Sequence, residues 1–125
     1  MPQMHPPVTH DSALDSLTQA LRRFAAERDW SQFHSPKNLA CALSVEAAEL
    51  LEHFQWLTEQ QSDQLPPDKR AAVAREMADV LLYLLQIADR LQIDLVAAAR
   101  QKLELNAAKY PAAQARGSSK KYSEL

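Results

Sequence analysis

Two long stretches of this sequence are apolar on almost every face of a helix, so each must be covered on almost every side. The first runs from Pro36 to about Leu57 and the second from Pro67 to about Leu91. Helices of this kind lie at the centre of a structure rather than on its surface. With one glycine in 125 residues and 46% hydrophobic residues, the sequence predicts an all-α protein with a sizeable core.

The breaks between apolar patterns predict four helices, at 11–29, 36–57, 67–91 and 95–110. Ser35 and Asp94 are suitable N-caps for the second and fourth helices, and Pro111 ends the fourth. Short connections favour an antiparallel bundle. A single four-helix bundle would leave part of its apolar surface in water, so we expect a dimer or larger assembly. The predicted organisation is an arm at 1–10, a helical domain at 11–111 and a basic tail at 112–125.

Composition excludes several classes of function. The net charge of −2 gives no general reason to expect nucleic acid or an anionic membrane as partner. Cys41 is the only cysteine, which leaves no intrachain disulfide or cysteine-based zinc site and suits a reducing cytosol. Gln86, Asp89 and Arg90 interrupt the longest apolar pattern, which is too short for a membrane span. We therefore expect a soluble, cytoplasmic protein.

The clearest chemical signal is a pair of acidic motifs inside apolar sequence, Glu46-Ala-Ala-Glu49 and Glu76-Met-Ala-Asp79. Residues three apart share a helix face, so two such helices side by side would aim four carboxylates at one point. A solvated helix face is the usual reading of such a motif. No Lys or Arg occurs between Lys37 and Lys69, however, and charges in apolar surroundings are costly unless paired or bound to metal.

The ligand types favour a hard cation. Carboxylate oxygens select Mg²⁺ and similar ions, and magnesium commonly combines a few carboxylates with substrate phosphates. A di-iron carboxylate bundle would need Glu-x-x-His on two helices, and neither motif ends in histidine. His53 lies four residues after Glu49, but a surface or packed histidine is the simpler interpretation. The motifs therefore predict a magnesium centre that acts on a phosphate compound.

An ordered set of further motifs accompanies the acidic ones. These are Phe24-Ala-Ala-Glu-Arg-Asp-Trp30, Gln32-Phe33-His34-x-Pro36-x-Asn38, Phe54-Gln55-Trp56, Asp79-Val80-Leu81-x-Tyr83, Tyr110-Pro111 and Ser118-Ser119-x-Lys121-Tyr122. Together they resemble the MazG-like all-α nucleotide pyrophosphohydrolases, and within them the dCTP pyrophosphatase branch. The resemblance runs from about Leu21 to Leu125. Val45 precedes Glu46 where MazG proteins often carry a further acid, which also favours that branch.

The resemblance implies an enzyme that cleaves a deoxynucleoside triphosphate to the monophosphate and pyrophosphate. Mg²⁺ would be held by Glu46, Glu49, Glu76 and Asp79, with Glu49 the candidate general base. The expected substrate is dCTP or a modified dCTP, the expected role is cleaning of the nucleotide pool, and the expected assembly is a homotetramer built from two dimers.

The resemblance also implies where the substrate binds. Trp30 and Trp56 match aromatic base-binding positions, and His34, Asn38 and Tyr83 lie near them in the pattern. On the fourth helix Lys102, Asn106, Lys109 and Tyr110 resemble a phosphate-side motif of the family, in which Lys109 replaces an arginine. Leu21 stands where vertebrate dCTP pyrophosphatases carry a substrate-contacting histidine, so base preference is less firmly implied than reaction type.

Two alternatives remain open at this level. The acidic cluster could be a structural feature of a non-catalytic helical interaction module. The basic stretch from Arg100 to Lys121, with six cations and one acid, could instead bind nucleic acid, although only three cations follow Pro111. Pyrophosphate release from deoxynucleotides would support the enzyme, whereas salt-dependent binding that survives loss of the carboxylates would support the nucleic-acid binder.

Overall fold

The computed structural model describes residues 12–124, and every regular element in that range is helical. The α-helices are α1 Ser12–Glu27, α2 Pro36–Glu52, α3 Glu59–Asp63, α4 Pro67–Arg90, α5 Leu95–Lys109 and α6 Ala112–Ala115. Two 3₁₀ turns occur at Ser31–Phe33 and Tyr122–Glu124. The all-α expectation is confirmed. Four long helices lie where the apolar patterns predicted them, and α3 and α6 are two short helices that were not predicted.

The chain divides into a compact unit at 12–93 and a second unit that contains residues 94–124. In the first unit α4 is the central helix, because it packs against both α2 and α1. Its core contains Ala25, Leu39, Val73, Leu85 and Ala88. The predicted arm lies outside the described residues, and the predicted division into arm, domain and tail stays a prediction.

Helix α2 is shorter than the sequence predicted, because it ends at Glu52 rather than near Leu57. Over residues 53–57 the chain closes into tight turns, in which the Leu57 amide donates to the Phe54 carbonyl at 2.9 Å. The next residue starts α3 with a capping box. Thr58 Oγ1 accepts from the Gln61 amide at 3.1 Å, and Gln61 Oε1 accepts from the Thr58 amide at 2.9 Å. This pairing stabilises a new helix start between two of the predicted helices.

An ion pair joins α1 to α4. The Arg22 guanidinium donates to both carboxylate oxygens of Asp89, with Nε 2.9 Å from Oδ2. The hydrogen bonds from Arg22 hold the pKa of Asp89 below its usual value. A planar two-point contact of this kind fixes orientation as well as distance, so it sets how α1 lies along α4.

The second unit contains α5 and α6. The Asp94 side chain accepts from the Ala97 amide at 3.0 Å, which confirms Asp94 as the N-cap of α5. The helix ends at Lys109, one residue before Tyr110. Over the described range, no helix is both long enough and apolar enough to cross a membrane.

Candidate functional site

Three of the four predicted metal ligands converge where α2 and α4 pack together. Glu46, Glu49 and Glu76 each offer a carboxylate oxygen, and these oxygens all lie within 4.8 Å of one another. The three side chains are half-buried. The spacing of three residues between Glu46 and Glu49 places both on the face of α2 that meets α4.

Asp79 lies on the same helix as Glu76 but is more exposed, and it is not part of this three-oxygen group. It remains close enough for its charge to act on Glu46. Asp79 also lines a neighbouring cavity. It therefore sits between the carboxylate group and that cavity.

The electrostatics of the group are set by carboxylates that lie close to one another. Oε2 of Glu46 and Oε2 of Glu76 are buried, and no described residue donates a hydrogen bond to either. None of the four acids forms an ion pair with a described residue. The pKa of Glu46 is raised to about 7, first because its carboxyl can share a proton with Glu76, then because of burial and the nearby carboxylates of Glu49 and Asp79.

These features fit a divalent metal. Buried carboxylate oxygens without donors are costly, and a cation relieves that cost. Among the described residues this group contains carboxylates and neither histidine nor cysteine; His53 is at the C-cap of α2 and is not a member. An all-oxygen ligand set suits Mg²⁺, Mn²⁺ or Ca²⁺ better than zinc or iron.

The raised pKa predicts how stability depends on pH. An unfolded glutamate loses its proton near 4.5, whereas Glu46 in the folded protein retains it up to about pH 7. Between these values the folded state binds more protons, so the free energy of unfolding falls as pH rises. We expect metal-free protein to have a lower Tm at pH 8 than at pH 6, and Glu46→Gln to reduce that difference.

Added Mg²⁺ should raise the Tm of the parent protein more at pH 8 than at pH 6, because a proton and the cation compete for the same carboxylate. Glu52→Gln on the same helix is the control, since Glu52 is exposed and outside the carboxylate group. Differential scanning fluorimetry measures both effects. If the Tm of Glu46→Gln depended on pH as strongly as that of the parent, the raised pKa would not belong to Glu46.

Beside the carboxylates lies a cavity of about 450 Å³, a size typical of small-molecule sites. It is lined by Leu17, Ala20, Leu21, Phe24, Ala25, Trp30, His34, Asp79, Leu82, Tyr83 and Gln86. Trp30 is the centre of an aromatic wall. Its ring meets Phe24 edge-on with centroids 5.6 Å apart, and His34 with centroids 6.3 Å apart. Such a wall can stack against a flat ring.

A reversal of the chain after α1 positions Trp30. Asp29 adopts a left-handed conformation with φ of 53°, and the Trp30 amide donates to the Ala25 carbonyl at 2.9 Å. These are the features of a helix C-cap in which the chain turns back on the last turn of helix. The turn at Ser31–Phe33 follows, and Asn38 supports it by donating from Nδ2 to the Phe33 carbonyl at 2.9 Å.

The structure thus brings Trp30, His34, Asp79 and Tyr83 to one cavity, but not all the predicted substrate residues. Asn38 does not line the cavity and supports the preceding turn instead. Trp56 is 86% exposed in the turn after α2, also away from the cavity lining. The remaining candidates belong to the second unit: Lys102 and Lys109 are exposed, while Asn106 and Tyr110 are half-buried.

Sequence reasoning missed Leu17, Leu82 and Gln86 as cavity residues. It noted Leu21 and Phe24 only through the family resemblance and did not assign them to the substrate site. The signal for Gln86 was present, because it is a polar residue in an apolar helix, seven positions after Asp79. That spacing is two helical turns and returns to the same face. It had been read only as an interruption of a possible membrane span.

Comparison with known proteins identifies the family of this chain. The model of the MazG-like family matches residues 41–125. Human dCTP pyrophosphatase 1 is 44% identical over 117 residues, which is 92% of this chain and 69% of that protein. The bovine dCTP pyrophosphatase 1 is 40% identical with the same coverage. A crystal structure of a pyrophosphatase from Archaeoglobus fulgidus superposes with a TM-score of 0.76 at 38% identity, covering 87% of this chain and 99% of that one.

These matches confirm the resemblance read from the motifs and the expectation that the protein is an enzyme. The family match covers both acidic motifs, and the similar structure has the same fold. The chain belongs to the MazG-like family.

Proposed function

We propose that this protein is a Mg²⁺-dependent nucleotide pyrophosphohydrolase that cleaves dCTP, or a dCTP modified on its base, to the monophosphate and pyrophosphate. The observation that carries the proposal is the convergence of three half-buried carboxylates beside an aromatic cavity. Two of their oxygens are buried and accept no hydrogen bond from a described residue. The names of the similar proteins supply the nucleotide and the pyrophosphatase activity. Removal of unwanted deoxynucleotides from the nucleotide pool is the role that we infer.

Glu46, Glu49, Glu76 and Asp79 are the proposed metal ligands. The bound cation would neutralise triphosphate charge and orient a water for attack at the α-phosphorus. Glu49 is our candidate for the general base that takes the proton of that water, because Glu46 and Glu76 each have a more deeply placed oxygen without a donor. A carboxylate that is not fully used as a metal ligand can perform this proton transfer.

The cavity is the proposed base site. Trp30 supplies a face for stacking, and Tyr83 and His34 supply polar groups around the ring. Asp79 contributes to both regions, since it lines the cavity and its charge acts on Glu46. A nucleotide with its phosphates at the carboxylates would therefore have its base directed along the aromatic wall.

Trp30→Ala should raise the KM for dCTP by about 5-fold to 150-fold, because base stacking on an aromatic side chain contributes about 1–3 kcal/mol. The value of kcat should change less, since the carboxylates are untouched. Phe33→Ala is the matched control, because Phe33 is an exposed aromatic in the adjoining turn and does not line the cavity. Steady-state kinetics with pyrophosphate detection would show the difference, and an unchanged KM in Trp30→Ala would place the base elsewhere.

Residues on α5 are proposed to assist with phosphate binding. Lys102 and Asn106 are four positions apart and so share a face of the helix, and Lys109 and Tyr110 follow at its end. Asn38 acts in our proposal through the turn that it supports. Trp56 is proposed to meet the base of a substrate held by a neighbouring subunit, which would cover its exposed ring.

We propose a homotetramer built from two dimers, which would bury apolar surface left uncovered on α4. Met77, Leu81 and Leu84 form a stripe at helical spacing, with exposed fractions of 57%, 37% and 36%. Exposed apolar patches of this kind are typical of protein–protein interfaces.

Leu81→Lys should convert the assembly to a smaller species, because it places a charge in the centre of this stripe. Ala71→Lys, an exposed position of α4 away from the stripe, should leave the mass unchanged. Light scattering coupled to size-exclusion chromatography measures both. A monomeric parent protein, or a tetramer that persists in Leu81→Lys, would contradict the proposed interface.

A panel of deoxynucleoside and ribonucleoside triphosphates tests the proposed function. With Mg²⁺ we expect pyrophosphate release that is fastest with a cytosine deoxynucleotide and absent with EDTA. Release from no member of the panel would overturn the proposal and return the non-catalytic module as the better account.

A further inference from the structure

The proposed base site lies between two walls. One wall is α1 with the turn that follows it, and the other is α4. The lining residues divide accordingly into Leu17, Ala20, Leu21, Phe24, Ala25, Trp30 and His34 on one side and Asp79, Leu82, Tyr83 and Gln86 on the other. A flat ring packs well only within a narrow range of distances from each wall. The contacts that hold α1 and its turn against α4 therefore affect how well a base fits.

A second cavity interrupts the packing between the walls. It has a volume of about 130 Å³ and shares Leu21, Ala25, His34 and Gln86 with the larger cavity. Side chains that border two cavities have packing partners on fewer sides, so they hold a wall less firmly than a filled core does. Other contacts must therefore help to set the distance between the walls.

Polar contacts from the last turn of α4 join the walls beside the second cavity. The Asp89 carboxylate accepts two hydrogen bonds from the Arg22 guanidinium, and the Arg90 guanidinium donates from Nη1 to the Ser31 carbonyl at 3.3 Å. All four residues line the second cavity. Exposed ion pairs contribute little unless their geometry is two-point, as it is between Arg22 and Asp89. A guanidinium only donates and a carbonyl only accepts, so the direction of the Arg90 contact is fixed.

The Arg90 contact acts on the turn that presents the aromatic wall. Ser31 directly follows Trp30, and its carbonyl also accepts from the His34 amide at 3.2 Å. Arg90 therefore holds the backbone between the two rings against α4, the helix that carries Tyr83 on the opposite wall.

We propose that Asp89 and Arg90 are positioning residues of the base site, which hold α1 and its turn at a fixed distance from α4. Neither residue lines the cavity that would receive the base, so both act through Trp30 and its turn without touching the substrate. Loss of either contact would let this wall move away from the base and weaken nucleotide binding, while the carboxylate group stays intact. The inference rests on the proposed function and deepens it by naming residues outside the cavity that determine nucleotide affinity.

The first test measures KM and kcat for dCTP in Arg90→Met, which keeps an unbranched apolar stem but has no donor. KM should rise about twofold to tenfold, as expected for one net hydrogen bond, while kcat should stay within about twofold of the parent value. Arg90→Lys retains a donor and should recover part of the loss. Arg23→Met is the matched control, because it removes the same charge from an exposed position of α1 that lines neither cavity.

Exchange of the ion pair tests the role of Asp89 separately. Arg22→Asp and Asp89→Arg should each raise KM, because each places two like charges opposite one another. The variant with both substitutions should bring KM back toward the parent value, because the pair forms again with its charges reversed. Thermal unfolding of every variant shows whether the fold is retained.

A double-mutant cycle shows whether Arg90 acts through the aromatic wall. In a Trp30→Ala background, Arg90→Met should change KM by less than about twofold, because the ring that the contact positions is absent. A structural role unrelated to the base would raise KM equally in both backgrounds.

The outcomes distinguish this inference from the function on which it rests. In a parent protein that releases pyrophosphate, a parental KM in Arg90→Met, or an equal rise with and without Trp30, would overturn the role of Arg90 alone. A reversed pair with a KM as high as that of the single variants would overturn the role of Asp89. A folded parent that hydrolyses no nucleotide would overturn the proposed function, and the inference with it.

Discussion

Glu49→Gln should lower kcat by about 10³-fold, within the range of about 10² to 10⁴ that a positioned general base contributes. The substitution keeps the size of the side chain and its place on α2, and removes the charge that would take a proton from water. KM should change little, because the cavity is untouched. Steady-state pyrophosphate release in saturating Mg²⁺ measures the effect.

Glu52→Gln is the matched control for Glu49→Gln. Glu52 is three residues further along α2, is exposed, and is outside the carboxylate group. The kcat of Glu52→Gln should equal that of the parent. The rise in Tm on adding Mg²⁺ separates the two proposed roles of Glu49. If Glu49 acts only as the base, Glu49→Gln retains this rise. If Glu49 is an essential ligand, Glu49→Gln shows a smaller rise. Parental kcat in Glu49→Gln would contradict both roles.

Leu39→Ala should reduce the free energy of unfolding by about 2–5 kcal/mol, the range for removing most of a buried leucine side chain. Leu39 is 1% exposed and lies in the first turn of α2. It also lines a small cavity between α1 and α4 with His34 and Gln86, so a void here would loosen the wall of the proposed base site. Urea unfolding followed by circular dichroism gives the free energy.

Leu91→Ala removes the same atoms from a leucine that is 50% exposed at the end of α4. Its effect should be under about 1 kcal/mol, as for most surface substitutions. Equal losses in the two variants would show that the interior around Leu39 is not as well packed as the structure has it. A larger m-value change in one of them would signal a change in the unfolded state instead.

The long helices could be predicted because their signals are local. Ser35 and Asp94 cap helices where a short side chain followed by apolar periodicity indicated a start. The end of α2 could not be placed, because apolar residues continue to Leu57 while the backbone turns after Glu52. The capping box of Thr58 and Gln61 starts a new helix there, although the apolar pattern would allow α2 to continue. Hydrogen bonds decide between these two structures, and the spacing of apolar residues does not report them.

The candidate site also has a part that could be predicted from the sequence and a part that could not. Convergence of Glu46, Glu49 and Glu76 followed from helical spacing once α2 and α4 lay side by side. The cavity was harder to foresee, because it depends on the reversal at Asp29 that brings Trp30 and His34 toward α4. The spacing of seven residues between Asp79 and Gln86 places both on one face of α4, but it does not report that a cavity lies against that face.

The most direct measurement is the identity of the products from dCTP in the presence of Mg²⁺, resolved by ³¹P NMR with hydrolysis in ¹⁸O-labelled water. We expect dCMP and pyrophosphate in equal amounts, with the label in dCMP, because the carboxylate group would direct water to the α-phosphorus. Formation of dCDP and phosphate, label in pyrophosphate, or intact dCTP would contradict it.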